Sequence, residues 1–304
     1  MTTADGSQQA PGGTATLGGR RVARIGFGAM QLALRPGDQS AAGRDKAMTV
    51  LRDAVTKGVN HLDTAQFYGA GACNALIRDA LHPFPDDLVI VSKVGARDDG
   101  TGLVAAQRPE ELRAEVEANL TGLDVEQLAV VNLRRLDVPP GLSAEGDQIV
   151  DLDSQLAELT ALRDEGKIGA IGLSSVGPGQ LRQALPAGIA CVQNAYSVLD
   201  RSSEPLLDLC REHGIAWVPF FPLGSAFPGV PKVTEHPAVV QAAASLGATP
   251  AQVGLAWQLA HYAQTLLIPG TSDPAHLDDN IAAGSVRLPS ETVVALDRLA
   301  DSLD

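Results

Sequence analysis

The sequence predicts a (β/α)8 TIM barrel built as a single domain. Three observations carry this: eight short, apolar, β-branched runs; stretches of helical periodicity between them; and a length of 304 residues, at which an α/β barrel closes as one unit. Hydrophobic residues make up 45% and charged residues 19% of the chain, an ordinary globular composition that can bury a core.

The runs fall at residues 24–30, 59–63, 88–93, 128–133, 168–173, 190–195, 216–221 and 265–269. Several, such as Leu88 to Val91, are apolar on both alternating faces, as suits a parallel strand with helices outside and core inside. Helical patterns occupy residues 45–57, 72–81, 109–120, 154–165, 179–184, 204–213, 250–261 and 274–282, with a last helix at 291–303 packing outside. Thr249-Pro250 is a good start signal, since proline at the first helical position has no amide to waste. Gly58, Gly166 and Gly214 stand where helices should stop. Residues 1–16, rich in Ser, Thr, Gly and Gln, read as a flexible tail, and 17–304 as the barrel.

Composition excludes several functions. Lys and Arg number 23 against 36 Asp and Glu, a formal charge of −13 that repels nucleic acid and anionic membranes. Three cysteines without CxxC spacing, and histidines without ligand spacing, argue against disulfides and a metal, and fit a reducing, cytoplasmic setting. The N-terminus lacks a secretion signal, and no apolar run reaches the ~18 residues a membrane helix needs. Oligomeric state is not legible.

In such a barrel the strand C-termini share one rim, where chemistry is placed. Two long connections there, 138–147 and 224–236, are candidate specificity loops. Asp63 and Tyr68 follow the second strand and Lys93 ends the third. An ammonium beside a phenol favours the phenolate, and a carboxylate keeps the ammonium charged. This grouping lets the tyrosine donate a proton while a carbonyl is reduced.

These segments, with the ordered motifs around them, resemble the aldo-keto reductase family across residues 18–300. The motifs are Ile25 to Met30, Asp63 to Gly69, Lys93, Lys167 to Ser175, Val192 to Tyr196, Phe221 to Gly224, Ile268 to Ser272, His276 and Asn280. The resemblance implies an extended NADP(H) cofactor and a small aldehyde or ketone substrate. It assigns Asp63, Tyr68 and Lys93 to catalysis, and Ser174, Ser175 and Gln193 to the nicotinamide carboxamide. Phe220 would stack on the nicotinamide ring, and Leu223 and Gly224 would follow the pyrophosphate. Gly270, Thr271, Ser272, His276 and Asn280 would surround the adenosine, with the helix near Pro274 offering amides to the 2′-phosphate. Met30, Gln31 and Phe67 would touch substrate.

Three departures from the family pattern stand out. Arg134 occupies the position of the usual catalytic histidine; it cannot shuttle a proton but can donate hydrogen bonds to a carbonyl oxygen. Asn132 shares its strand parity and is an alternative donor. Ser175 replaces a common asparagine. No Lys or Arg lies between Gly270 and Val286. The rival reading is an NADP(H)-binding sensor or partner subunit with weakened catalysis; a Schiff-base barrel using Lys93 leaves the cofactor motifs unexplained.

Overall fold

The computed structural model describes residues 10–33, 40–137, 141–224 and 230–300. In chain order the elements are β1 (Thr14–Leu17), β2 (Arg20–Ala23), β3 (Phe27–Gly28), α1 (Met30–Ala33), α2 (Ala41–Thr56), β4 (His61–Asp63), α3 (Ala72–Leu81) and β5 (Val89–Val94). There follow β6 (Ala96–Asp98), β7 (Leu103–Ala105), α4 (Pro109–Leu123), β8 (Leu128–Arg134), α5 (Leu152–Asp164), β9 (Ile168–Ser174), α6 (Pro178–Ala184) and β10 (Ile189–Gln193). The last are α7 (Glu204–His213), β11 (Ala216–Trp217), α8 (Pro237–Leu246), α9 (Pro250–His261), α10 (Pro274–Ala282) and α11 (Ser290–Asp297).

Seven strands form one parallel sheet in the order β11-β10-β9-β8-β5-β4-β3. Closure comes from the eighth predicted run. Thr265 bridges Trp217 and Leu267 bridges Ile25, both in parallel. Leu266 N donates to Trp217 O and Gly26 N to Leu267 O, each at 2.8 Å. The expected barrel is therefore present, although its first and last strands are shorter than the apolar runs that announced them. Met30 leaves the first run to open α1, and the eighth is paired only through bridges.

The tail expected over 1–16 is corrected by β1. Residues 1–9 lie outside the described residues, but Thr14 to Leu17 pairs antiparallel with Arg20 to Ala23. Upstream, Pro11 O accepts from Ile25 N at 3.0 Å. The buried face of this hairpin, Ala15, Leu17 and Val22, joins Val89, Val91, Val130, Ala216 and Leu266 in one apolar cluster, so it plugs the end of the barrel opposite the strand C-termini. At its turn Gly18 has a φ of +56°, and a Cβ there would come within 2.9 Å of Val130 Cγ2; only glycine seats the plug this closely. A four-residue alternation is too short to announce a strand by itself. Helix α8 lies outside the predicted helical stretches and follows a Pro- and Gly-rich connection that hides its start.

Side chains alternate across the strands. Leu62, Ile90, Val131, Leu133, Ile171, Leu173 and Val192 face the helical layer, while Val89, Val91, Val130 and Cys191 face the barrel interior. Asp63, Lys93, Arg134 and Gln193 share the inward parity and sit at strand ends. Cross-strand register aligns them: Asp63 opposite Val91, Lys93 opposite Asn132, Arg134 and Gln193 each opposite Ser174. A one-residue slip would turn every one of them toward the helices.

Outside the barrel, Glu204 ties α7 to α9 and to the loop after β10. Its carboxylate accepts from the Tyr196 hydroxyl, from Arg201 Nε at 2.9 Å and contacts His261 Nε2 at 2.8 Å. Burial alone would raise its pKa, but the His261, Tyr196 and Arg201 hydrogen bonds hold it well below the carboxylate range. Trp257 stacks on His261, with centroids 4.8 Å apart. Among the described residues no helix is long and apolar enough to cross a membrane, and no group of three His, Cys, Asp or Glu could hold a metal.

Candidate active site

A cavity of about 290 Å³ opens at the strand C-termini. Its wall runs around the barrel in strand order: Gly28, then Met30 and Gln31 of α1, Asp63, Tyr68, Lys93, Arg134, Ser174 and Ser175, Gln193, Phe220 to Gly224, Ile268 to Gly270, and Asn280 of α10. Most residues singled out from the sequence thus converge on one space.

The chemical centre is a buried ion pair. Lys93 and Asp63 are only 5% and 4% exposed, and the ammonium donates to Asp63 Oδ1 and to Thr64 O at 3.2 Å. Gln193 Nε2 donates to the other carboxylate oxygen at 2.9 Å, so the carboxylate is fully occupied. Burial opposes the charge on Lys93, yet Asp63 raises its pKa above the ordinary value. Lys93 Nζ stands 5.0 Å from the centre of the Tyr68 ring.

Burial raises the Tyr68 phenol above its ordinary pKa; Lys93 pulls it back down, Asp63 pushes it up, and Arg134 lowers it further, with the net direction upward. This corrects the expectation of a net acidic phenol. Desolvation of a phenolate outweighs one ammonium already shared with a carboxylate. The result is a tyrosine that is fully protonated at neutral pH, as a proton donor must be.

Arg134 lines the cavity with its guanidinium 5.7 Å from the centre of the Phe67 ring. Burial lowers its pKa, with no carboxylate near enough to oppose this, and no ion pair joins it to any described residue. Arginine remains charged regardless.

Two sequence expectations for substrate contact are not met. Asn132 is fully buried below the cavity floor; its Oδ1 contacts Cys191 Sγ at 3.3 Å and its Nδ2 has no partner among the described residues. It lies two residues deeper on the strand than Arg134, too far down to reach the opening. Phe67 also stays out of the wall. It packs behind Tyr68 with Ala65 and Ala96, its ring edge-on at 5.2 Å.

Of the residues expected around the adenosine, Gly270 and Asn280 reach the cavity, whereas Thr271, Ser272 and His276 do not line it. The first turn of α10 is already capped: Ala275 N donates to Asp273 Oδ1 at 2.8 Å, and Thr271 Oγ1 accepts from Asp273 N at 3.0 Å. The amide expected to face a phosphate therefore serves a carboxylate. Backbone hydrogen bonding from Ala275 lowers the Asp273 pKa, and the charges of Lys46 and His276 lower it further. Lys46 belongs to α2, which also reaches α10 through the Lys57–Asp278 ion pair. Lys46, distant in sequence, is thus within electrostatic reach of Asp273 at the start of α10.

The wall fits a nicotinamide dinucleotide. Gln193 Oε1 is buried with no partner among the described residues, an acceptor that a carboxamide N–H satisfies. Gly28 and Gly270 abut backbone to backbone, a Cβ on either falling within 2.4 and 2.3 Å of a facing carbonyl oxygen. Phe220 adds an aromatic face. Ser175 and Phe221 hold φ of +56°, a conformation costing non-glycine residues roughly 1–2 kcal/mol each, so the strained backbone lies against the cavity. Phe221, Pro222, Ile268 and Pro269 line the wall although the sequence marked them only as motif residues. Cys73 is fully buried, its thiol raised to about 12 by burial, and contacts Ala29 O at 3.2 Å; it is packing.

The family model described as Aldo/keto reductase family matches residues 24–301. The pyridoxine 4-dehydrogenase of Escherichia coli (strain K12) is 43% identical over 290 residues, spanning 94% of this chain and 98% of that protein. The NADH-specific methylglyoxal reductase of the same organism is 26% identical over 324 residues, spanning 93% and 96%. Among solved structures, an aldo-keto reductase from Klebsiella pneumoniae in complex with NADPH superposes with a TM-score of 0.76 at 25% identity, covering 94% of both chains.

Proposed function

This chain belongs to the aldo/keto reductase family, and we propose that it reduces small aldehydes or ketones with NADPH, Tyr68 giving the proton. The observation that carries this reading is the buried Asp63–Lys93 pair placed beside Tyr68 in the inward layer of the rim. Ser174, Ser175, Gln193, Phe220, Leu223, Gly224, Gly270 and Asn280 would hold NADPH, with Lys46, Thr271, Ser272 and His276 near its adenosine end, and the bound cofactor would supply the hydride for the carbonyl carbon.

As the carbonyl π pair collects on oxygen, Tyr68 Oη donates its proton there and the alcohol forms. The phenolate left behind is stabilised by the Lys93 ammonium, which Asp63 keeps charged and Gln193 helps to orient. Arg134 donates to the same substrate oxygen, replacing the hydrogen bond but not the proton exchange of a histidine. Met30 and Gln31 form the outer wall against substrate.

The test is a panel of aldehydes and ketones assayed with NADPH and with NADH. It includes the 4-aldehyde of pyridoxine, with pyridoxine itself assayed in the reverse direction with NADP+, because a relative is named a pyridoxine 4-dehydrogenase. Loss of the near-ultraviolet absorbance of NADPH upon aldehyde addition is the expected result. Tight NADPH binding without such loss contradicts the reading and favours a sensor or partner subunit.

A further inference from the structure

The charged groups lining the cavity do not balance. Asp63 and Lys93 neutralise each other and Tyr68 is neutral, so Arg134 leaves the wall with one uncompensated positive charge in a chain of net charge −13. No ion pair or hydrogen bond joins the guanidinium to any described residue. The acid closest to it in sequence, Asp137, is committed elsewhere, paired with Arg135 and accepting from Gln180 Nε2 at 2.8 Å. Among the described residues it lies near Tyr68, the Phe67 ring and Gly141, where a Cβ would stand 3.5 Å from the arginine Nη2. A half-buried cation without a partner is costly in the free protein, and the cost is removed when a ligand brings the anion.

A neutral carbonyl oxygen uses one of the five guanidinium N–H donors. The planar fork is built for two oxygens side by side. Beside the residues given to NADPH, the wall offers Met30, Phe221, Pro222 and Ile268, an apolar surface that includes one aromatic ring, which suits a conjugated ring. We infer that this site selects planar aldehydes carrying an ionised oxygen on the ring atom next to the one bearing the carbonyl, the two oxygens being gripped together by Arg134. The inference rests on the carbonyl-reductase reading and adds to it the substrate class. In such a complex Tyr68 still protonates the carbonyl oxygen, while Arg134 holds the neighbouring oxyanion and fixes the ring in the plane of the rim.

The experiment compares 2-hydroxy-5-nitrobenzaldehyde, which is ionised at neutral pH, with its 2-methoxy ether, using 4-nitrobenzaldehyde as a neutral reference. The expected KM for the phenolate is lower than for the ether by roughly tenfold or more, the ratio a charge-assisted hydrogen bond supports. In Arg134→Met this ratio should fall to near unity, and Arg134→Lys, which keeps charge without the fork, should retain part of it. An ether that binds as well as the phenolate in the wild type overturns the inference without any variant, as does a ratio that survives in Arg134→Met. If 4-nitrobenzaldehyde is reduced but the ortho preference is absent, the substrate class alone is wrong. If none of the three aldehydes is reduced, the reductase reading falls and the inference falls with it.

Discussion

Tyr68→Phe is expected to lower kcat and kcat/KM for aldehyde reduction together, by roughly 10²- to 10⁴-fold, the range lost with a positioned general acid. An equal fall in both is the signature of a group that acts in the transition state and not in ground-state binding. NADPH should bind the variant as it binds the wild type, because Phe preserves the ring that packs edge-on against Phe67 at 5.2 Å and faces the Lys93 ammonium at 5.0 Å. Stopped-flow turnover together with a fluorescence titration of NADPH measures both. A variant that keeps most of its turnover would remove Tyr68 from the chemistry.

Lys93→Met should damage chemistry and fold at once. Without the ammonium, the phenolate formed after proton transfer has lost its nearest cation, so the residual rate should approach that of Tyr68→Phe. The Asp63 carboxylate, 4% exposed, would keep only the Gln193 amide among the hydrogen bonds it now accepts. Stranding one member of a buried pair costs about 3–5 kcal/mol, readable as a lower midpoint in denaturant or heat. Adding Asp63→Asn removes the stranded charge, so the double variant should regain much of the stability while remaining inactive. Stability unchanged in Lys93→Met would mean that the pair is not what holds this rim together.

Much of this was legible because barrel strands and their alternation are written locally. The runs at 88–93, 128–133 and 168–173 gave strands within about one residue of β5, β8 and β9. Strand-end position and inward parity then put Asp63, Lys93, Arg134, Ser174 and Gln193 on one rim. The misses have physical causes. The plug formed by β1 and β2 depends on Val130 and Leu266, residues far along the chain, so its short alternation meant little in isolation. Asn132 has the right parity and the wrong depth, and depth along a strand follows from where the cavity begins. Lys46 acts on Asp273 only because α2 and α10 are neighbours. The direction of the Tyr68 shift depends on how far the fold around the phenol desolvates it, which no sequence spacing states.

The most direct test of the account is the pH dependence of kcat for aldehyde reduction. Burial places the Tyr68 pKa above the ordinary phenol value, near 10 in model compounds, and the protonated form is the donor. The account predicts a rate that is level through neutral pH and declines only above about 10, with that alkaline limb gone from the residual activity of Tyr68→Phe. A decline centred in the neutral range, or an alkaline limb that persists unchanged in Tyr68→Phe, would contradict it.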